Sequence, residues 1–265
     1  MLNLAVVGHV EGVTPTDAPF IPAAGEIVHL SDPLTQPAGG GAVTAAALVR
    51  AGARVSFYTA AADDVPVVAA LEGLGIRVLA APRPAPHTRC LVMRDPDGER
   101  TICVIGENLH PSADDPLPWD ELDGCDGVYF TGGDPRTLRL ARRARVLVVT
   151  ARRFDVLAES GVRADVLVGS ARDRGERFDL GRLAAPPDHV VITDGVRGGT
   201  GYRASPPPAS PVDSYGAGDT FAAGLLYGLA EGLAQPAALE LGARLAAEAV
   251  TWRGAYPPRS RRPSW

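Results

Sequence analysis

The chain of 265 residues contains no lysine, so all 26 of its lysine-or-arginine positions are arginine. A phosphate-binding loop of the Walker type needs its lysine, and so does Schiff-base chemistry on a lysine amine. Both kinds of site are therefore excluded. The formal net charge is −5 and no extended basic run occurs, which argues against nucleic acid as a partner.

Cysteine and long apolar runs are also scarce. Cys90, Cys103 and Cys125 show neither C-x-x-C spacing nor even pairing, so free thiols in a reducing compartment are the simplest expectation. No segment reaches the roughly 18 uncharged apolar residues that a membrane span requires. The first residues, Leu2–Val7, are typical of a buried strand and not of a signal peptide. We expect a cytoplasmic protein that has no membrane partner.

Short apolar runs alternate with helical segments through most of the chain, which favours a single α/β domain built on parallel strands. The length allows one substantial core. The predicted strands are 2–7, 26–30, 54–60, 77–79, 88–94, 100–105, 127–131, 145–150, 165–168 and 189–193; the predicted helices are 45–51, 67–74, 136–144, 154–160, a short one after 168, one that follows 218, and 236–252.

The stretch Pro211–Ala230 carries the clearest chemistry. A Gly-Ala-Gly turn at residues 216–218 precedes Asp219 and an apolar helical run. Glycine lets the backbone approach a ligand closely, and the first amides of a helix lack partners within the helix and attract anions. An acid beside such amides is the equipment for transferring a phosphoryl group to a hydroxyl. The stretch is equally compatible with a plain helix start at which Asp219 is a capping residue.

Polar residues and glycines follow the first strand. His9 and Glu11 come just after it, where parallel sheets bind ligands, although an exposed turn fits them equally well. Gly39, Gly40 and Gly41 precede the predicted helix 45–51 and would allow close approach of a small substrate. No G-x-G-x-x-G follows the first strand, which argues against a dinucleotide-dependent oxidoreductase.

The run D-S-Y-G-A-G-D-T-F, from Asp213 to Phe221, resembles the signature of the ribokinase (PfkB-type) carbohydrate kinase family. The resemblance covers most of the chain. It implies a ribokinase-like three-layer α/β sandwich with a central, mostly parallel sheet and a small β lid, whose segments lie near 12–37 and 88–106. It also implies ATP, Mg²⁺ and K⁺ as cofactors, a small-molecule acceptor, and a homodimer formed through the lid.

The resemblance assigns roles to individual residues. Asp219 would be the base that takes the proton of the acceptor hydroxyl. The amides of Gly216, Ala217 and Gly218 would form the anion hole; Thr193, Gly195 and Gly198, with Ser170 and Asp173, would bind nucleotide and Mg²⁺; His9, Glu11, Gly39, Gly40, Gly41 and Arg89 would bind the acceptor; Asp213 and Tyr215 would border K⁺. An acidic pair at Asp63-Asp64, a hairpin turn around Asp97-Gly98 and a loose basic tail at 257–263 complete the expectations.

Three positions depart from the family pattern. The family's Asn-x-x-Glu motif falls on Ser170-Ala171-Arg172-Asp173, its sugar-binding Asn falls on Val43, and its strand-one Asp falls near Val13, with Glu11 where Asn is usual. We therefore expect a kinase for a small hydroxylated molecule, first a sugar and next a nucleoside. A non-catalytic nucleotide-binding or metabolite-binding protein on the same fold is the alternative.

Overall fold

The computed structural model describes residues 1–30, 35–63, 66–96 and 100–258. Four expectations fall partly outside these ranges. They concern residues 31–34 of the lid segment 12–37, Asp64 of the acidic pair, residues 97–99 of the hairpin turn in the second lid segment, and the basic tail from residue 259 onwards.

A sheet of seven strands forms the centre of the molecule, and every neighbouring pair of strands in it is parallel. The predicted α/β class is confirmed, and the sheet is more regular than the mostly parallel one expected. In space the strands run β11-β10-β9-β8-β1-β4-β5. Their bounds are β1 Asn3–Val7, β4 Arg54–Ala61, β5 Arg77–Pro82, β8 Gly127–Phe130, β9 Val146–Thr150, β10 Val166–Ser170 and β11 His189–Thr193.

Helices cover both faces of this sheet, as a buried parallel sheet requires. One core joins the strands to α1, α2, α5 and α6, and a second core on the opposite face joins them to α3 and α4. None of the helices in the described ranges combines the length and hydropathy needed to cross a membrane. The helices are α1 Gly39–Arg50, α2 Val67–Glu72, α3 Pro135–Ala141, α4 Phe154–Ser160, α5 Ala217–Ala230 and α6 Gln235–Ala249.

The strand order places a switch point between β1 and β8. From β1 the chain adds β4 and β5 on one side, and β8 begins the run of later strands on the other side. Open α/β sheets bind ligands outside the carboxyl ends of their strands at such a point. The crevice above Val7 and Phe130 is therefore where a site is expected.

A second sheet of four strands lies above this edge and forms the lid. Its order is β3-β2-β6-β7, with β2 Glu11–Asp17, β3 Gln36–Ala38, β6 Arg89–Arg94 and β7 Arg100–Ile105. The predicted hairpin of 88–94 with 100–105 is confirmed as the antiparallel pair β6–β7. Strand β2 begins four residues after β1 ends, so the chain passes almost directly from the central sheet into the lid.

Strand β2 lies almost wholly in the predicted lid segment 12–37, although no strand was predicted at its start, and it contains Pro15. The amides of Gly12 and Ala18 donate to carbonyls on the β6 side, so the alternate position Pro15 faces the β3 side. Pairing with β3 ends at Val13. Among the described residues no strand pairs with this side of Pro15, so its missing N–H interrupts no ladder there.

Three predicted elements were wrong. Residues 26–30 form no strand. Ile27 is 81% exposed, and none of the described strands pairs with this segment, so its alternating pattern alone does not produce a strand. Helix α1 begins at Gly39 and not at residue 45, so the three glycines form its first turn. The short helix expected after 168 is a pair of 3-10 turns, Arg174–Glu176 and Leu180–Arg182.

Candidate active site

A cavity of about 580 Å³ lies at the switch point, between the carboxyl ends of the central strands and the lid. This volume is within the usual range for small-molecule sites. Residues after β1, β8, β9, β10 and β11 line one side of it, and the inner face of β6 and β7 lines the other side. The start of α5 also lines it. The cavity is thus bounded by segments distant in the sequence.

Asp219 lies in the first turn of α5, on the wall of this cavity. Gly216 is the N-cap of the helix and has a positive φ of 73°, a conformation that L-residues with side chains rarely adopt. A Cβ there would also lie 2.9 Å from a methyl carbon of Val43. Gly216 and Gly218 line the cavity beside Asp219, so the helix start presents backbone amides next to the carboxylate.

The N-terminus of α1 meets Asp219 from the other side. A Cβ on Gly40 would lie 3.1 Å from Oδ1 of Asp219 and 3.0 Å from Oγ1 of Thr131. The hydroxyl of Thr44, one turn further along α1, donates to the backbone carbonyl of Asp219 at 3.3 Å. Two helix starts therefore converge on one carboxylate, and glycine at position 40 keeps the space beside that carboxylate open.

Burial raises the pKa of Asp219 to about 6. His9 and Arg152 act in the opposite direction because positive charge favours the carboxylate, and Glu11 raises the pKa further. A carboxyl group with this pKa is mostly ionised at pH 7 and is a stronger base than an exposed aspartate. These are the properties that a general base needs near neutral pH.

One end of the cavity, where the central sheet meets the lid, contains a buried carboxylate. Glu11 is 8% exposed, with Oε1 3.4 Å from Nε2 of His9, and its Oε2 accepts from the thiol of Cys90 at 3.2 Å. Burial by itself would raise the pKa of Glu11, but the contacts with His9 and Cys90 outweigh it and lower the pKa. Glu11 is thus an anion at the junction of sheet and lid. The inner face of the lid nearby is mostly apolar, with Val92, Ile102 and Val104 on the cavity.

The opposite end of the cavity is more polar. Thr193, Ser170 and Asp173 line it, as the sequence analysis expected of a nucleotide end. Glu176 also lines it: its Oε2 accepts from the amide of Ser170 at 2.6 Å, and burial raises its pKa to about 7. Arg152 pairs with both acids of this wall. No group of three or more His, Cys, Asp or Glu side chains suited to a metal ion occurs in the described ranges.

Most of the predicted site residues are brought together at the cavity. Those that line it are His9, Glu11, Gly39, Gly40, Ser170, Asp173, Thr193, Tyr215, Gly216, Gly218 and Asp219. The amide of Gly39 donates to the hydroxyl of Tyr215 at 3.3 Å, which joins the start of α1 to the loop before α5. Ala217 is the first residue of α5, between two lining glycines.

Five predicted residues lie elsewhere. Gly41 serves close packing, since a Cβ there would lie 2.6 Å from the His9 carbonyl. Arg89 is exposed on the lid. Gly195 and Gly198 lie in the turn after β11, both with positive φ. Asp213 accepts from the amides of Tyr215 at 2.9 Å and Gly254 at 3.0 Å, so both of its carboxylate oxygens hold loops together.

Several residues of the cavity were not predicted from the sequence. Glu176 and Arg152 form its polar wall, and Arg100 enters from the lid. Arg153 is partly buried, with its Nη2 2.6 Å from Nε2 of His110 and its Nε donating to the carbonyl of Thr131 at 3.2 Å. Arg152, Arg153 and Glu176 share a position shortly after the carboxyl end of a parallel strand. Arg152 and Arg153 lie in the turn after β9, and Glu176 lies six residues after β10. No motif marks them.

Comparison with known proteins agrees with this geometry. Residues 180–262 match the model of the pfkB family carbohydrate kinases. A 73-residue segment is 34% identical to fructoselysine 6-kinase of Escherichia coli strain K12 and covers 25% of this chain and 28% of that protein. The aligned region thus spans about a quarter of that relative's length.

Solved structures match over nearly the whole chain. Ribokinase of Arabidopsis thaliana, solved with ribose and ATP, superposes with a TM-score of 0.74 at 20% identity, covering 96% of this chain and 94% of that one. Adenosine kinase of Sinorhizobium meliloti gives a TM-score of 0.75 at 18% identity, covering 97% and 96%. At such identities the likeness establishes the fold.

The three-layer sandwich with its lid is therefore the ribokinase-like fold. The family match of the C-terminal region, which includes the whole D-S-Y-G-A-G-D-T-F run, adds the sequence evidence. The chain thus has the ribokinase-like fold, and its C-terminal region, residues 180–262, matches the pfkB family of carbohydrate kinases.

Proposed function

We propose that this protein transfers the γ-phosphoryl group of ATP to a hydroxyl group of a small molecule, with a sugar or sugar derivative as the acceptor. The observation that carries the proposal is Asp219 beside the first amides of α5, at the meeting point of an acceptor end and a polar end of one cavity. A base next to an anion hole is what phosphoryl transfer to an alcohol requires.

Asp219 is the base in this proposal. Its carboxylate removes the proton of the acceptor hydroxyl as the oxygen attacks phosphorus, and the amides of Gly216, Ala217 and Gly218 receive the phosphoryl oxygens. The start of α5 holds these amides in place, and the amide of Ala217, which donates to the carbonyl of Ser214 at 3.4 Å, would turn to the phosphoryl group instead. Gly40 leaves room for the acceptor hydroxyl beside Oδ1.

ATP would occupy the polar end. Thr193 and Ser170 offer hydroxyls to its phosphates or ribose, and the turn that contains Gly195 and Gly198 lies just beyond β11. Magnesium is bound in such sites through one or two carboxylates together with phosphate oxygens. Asp173 and Glu176 present two carboxylates on this wall and fit that requirement. Bound Mg²⁺ would offset negative charge on the phosphates.

A monovalent cation remains a separate prediction. Asp213 and Tyr215 were expected to border K⁺. Both carboxylate oxygens of Asp213 already accept hydrogen bonds from backbone amides. This arrangement fits a residue that holds two loops together better than it fits a cation ligand. The proposed reaction therefore includes no role for K⁺.

The acceptor contacts favour a molecule with hydroxyl donors and an apolar side. Glu11 is an acceptor of hydrogen bonds, with His9 next to it, and Val92, Ile102 and Val104 cover the opposite side. The likeness to fructoselysine 6-kinase favours a sugar derivative. The apolar lid face favours a nucleoside as the second candidate, in keeping with the likeness to adenosine kinase.

Location and assembly are part of the proposal. The three cysteines are free thiols, in keeping with the reducing cytoplasm that we propose as the location. We also propose that two copies pair through their lids, since β7 ends the lid sheet within the described ranges and exposes Ile105.

A phosphotransfer assay over a panel of sugars, sugar derivatives and nucleosides tests the activity. For the best acceptor, Asp219→Asn is expected to lower kcat by about 10²–10⁴-fold, the usual contribution of a positioned base. The fold should persist, since the raised pKa shows that the folded state disfavours the charge that Asn removes.

Asp120→Asn is the control. Asp120 is an exposed acid in the 3-10 turn Trp119–Gly124, away from the cavity, and the variant should keep wild-type turnover. Turnover that survives Asp219→Asn would refute the base. Calorimetric binding of ATP without turnover on any acceptor would favour the non-catalytic alternative.

A further inference from the structure

Arg152 occupies a position in the cavity that the assignments above do not use. It lies in the 3-10 turn Ala151–Arg153 directly after β9, and its side chain is 56% exposed although it pairs with two acids. One Nη2 hydrogen bond reaches Asp173, and Nε lies 3.2 Å from Oε1 of Glu176. The guanidinium group therefore keeps donors that point to open space in the cavity.

Arg152 differs from the other two arginines on the cavity. Arg153 is partly buried against Thr131 and His110, and Arg100 comes from the lid strand β7. Arg152 and Arg153 both follow β9 of the central sheet, but of these three arginines Arg152 is the one that pairs with both acids of the polar wall. Because the chain has no lysine, a side chain at this wall that stays cationic over the whole physiological pH range has to be arginine.

The loop after β10 is shaped around this side chain. A Cβ on Gly175 would lie 3.3 Å from Nη1 of Arg152, and the amide of Gly175 donates to Asp173 at 2.8 Å. The guanidinium thus lies close to backbone between its two acids. Its charge also reaches the reacting centre, since it lowers the pKa of both Asp219 and Glu11.

We propose that Arg152 is a catalytic residue that exchanges Asp173 and Glu176 for the γ-phosphoryl group of the bound nucleotide. This rests on the kinase activity proposed above. Asp173 and Glu176 are the carboxylates that would hold Mg²⁺, and a carboxylate bound to the metal would no longer pair with the guanidinium of Arg152. The planar guanidinium group of Arg152 then donates hydrogen bonds to two phosphoryl oxygens at once.

The proposed step is balanced without any change in Arg152 itself. The bond between the γ-phosphorus and the β–γ bridging oxygen breaks, and its electron pair remains on ADP. The acceptor oxygen forms the new bond to phosphorus while its proton passes to Asp219. Arg152 keeps its proton and stabilises the negative charge on the equatorial oxygens, opposite the amides of the α5 start.

Arg152→Gln and Arg152→Lys test the proposal, with Arg182→Gln as the matched control. Arg182 is also 56% exposed and pairs with an aspartate, Asp155, at 2.8 Å, but it does not line the cavity. Arg152→Gln should lower kcat by about 10²–10³-fold, the usual cost of one electrostatic donor. Arg152→Lys should recover part of that loss, and Arg182→Gln should stay within about twofold of wild type.

Calorimetry separates this role from a structural one. Arg152→Gln should weaken β,γ-imido-ATP at least about tenfold and leave ADP unchanged, because only the former has a γ-phosphate. A variant that weakens both nucleotides equally, or neither, or that loses only thermal stability, would overturn the proposal. Wild-type protein that binds neither nucleotide would instead reject the kinase assignment itself.

Discussion

Asp219 illustrates how one residue acquires its chemistry from several distant ones. His9 follows β1, Arg152 follows β9 and Arg100 lies on the lid, and all three favour the carboxylate of Asp219. Burial acts in the opposite direction and prevails, with Glu11 adding to it. The balance brings the pKa of this carboxyl group close to neutral pH, which an exposed aspartate would not achieve.

We expect an acid limb in the pH dependence of kcat/KM, with a midpoint near pH 6. The reason is that the pKa of Asp219 is raised to about 6 and only the ionised form accepts a proton. Activity should therefore be near its full value at pH 8 and decline as the pH falls through 6. Initial rates between pH 5 and 8.5, with saturating ATP, provide the measurement. A profile that is flat over this range would contradict the role of Asp219.

At the scale of elements, the closest packing lies between α5 and α6. A Cβ on Gly224 of α5 would lie 2.7 Å from Cα of Gly242 in α6, and a Cβ on Gly242 would lie 2.8 Å from the carbonyl of Phe221. Backbones in such contact leave no room for even one methyl group. This contact anchors α5, and with it the amides and the carboxylate at its start.

Gly224→Ala is expected to lower the free energy of unfolding by about 1–3 kcal/mol, the usual cost of overpacking. Gly218→Ala is the matched control in the same helix, because a Cβ there meets nothing within 4 Å. The control should be as stable as wild type or slightly more so, since alanine is the better helix former. Urea unfolding followed by circular dichroism measures both. Equal stabilities of the two variants would show that the helices can separate at no cost.

At the scale of the whole molecule, the exposed edge of the lid is the surface on which we expect a second copy to pair. Strand β7 carries Ile102, Val104 and Ile105, all at least half exposed. Two of these face the cavity, and Ile105 alternates to the other face. An exposed apolar edge strand is a ready template for pairing with a second strand.

If two copies pair through this edge, Ile105→Glu should convert a dimer into a monomer. Light scattering after size exclusion would give twice the chain mass of 27.6 kDa for wild type and a single mass for the variant. Ile27→Glu is the control, since Ile27 is also strongly exposed but lies outside every described strand. A wild-type protein that is monomeric at tens of micromolar would remove the proposed dimer.

The amino-acid sequence alone determined the α/β class, the lid hairpin, the position of Asp219 at a helix start and the absence of lysine chemistry. These features are local: strand alternation, a turn and a helix start depend on residues that are close along the chain. Only the tertiary structure decided that residues 26–30 form no strand and that Gly41 packs against the His9 carbonyl and the ring of Phe57. It also brought Arg152 and Glu176 to one wall and gave Asp219 its raised pKa. Such properties depend on which strands become neighbours, and desolvation and charge act through space, so spacing along the chain does not encode them.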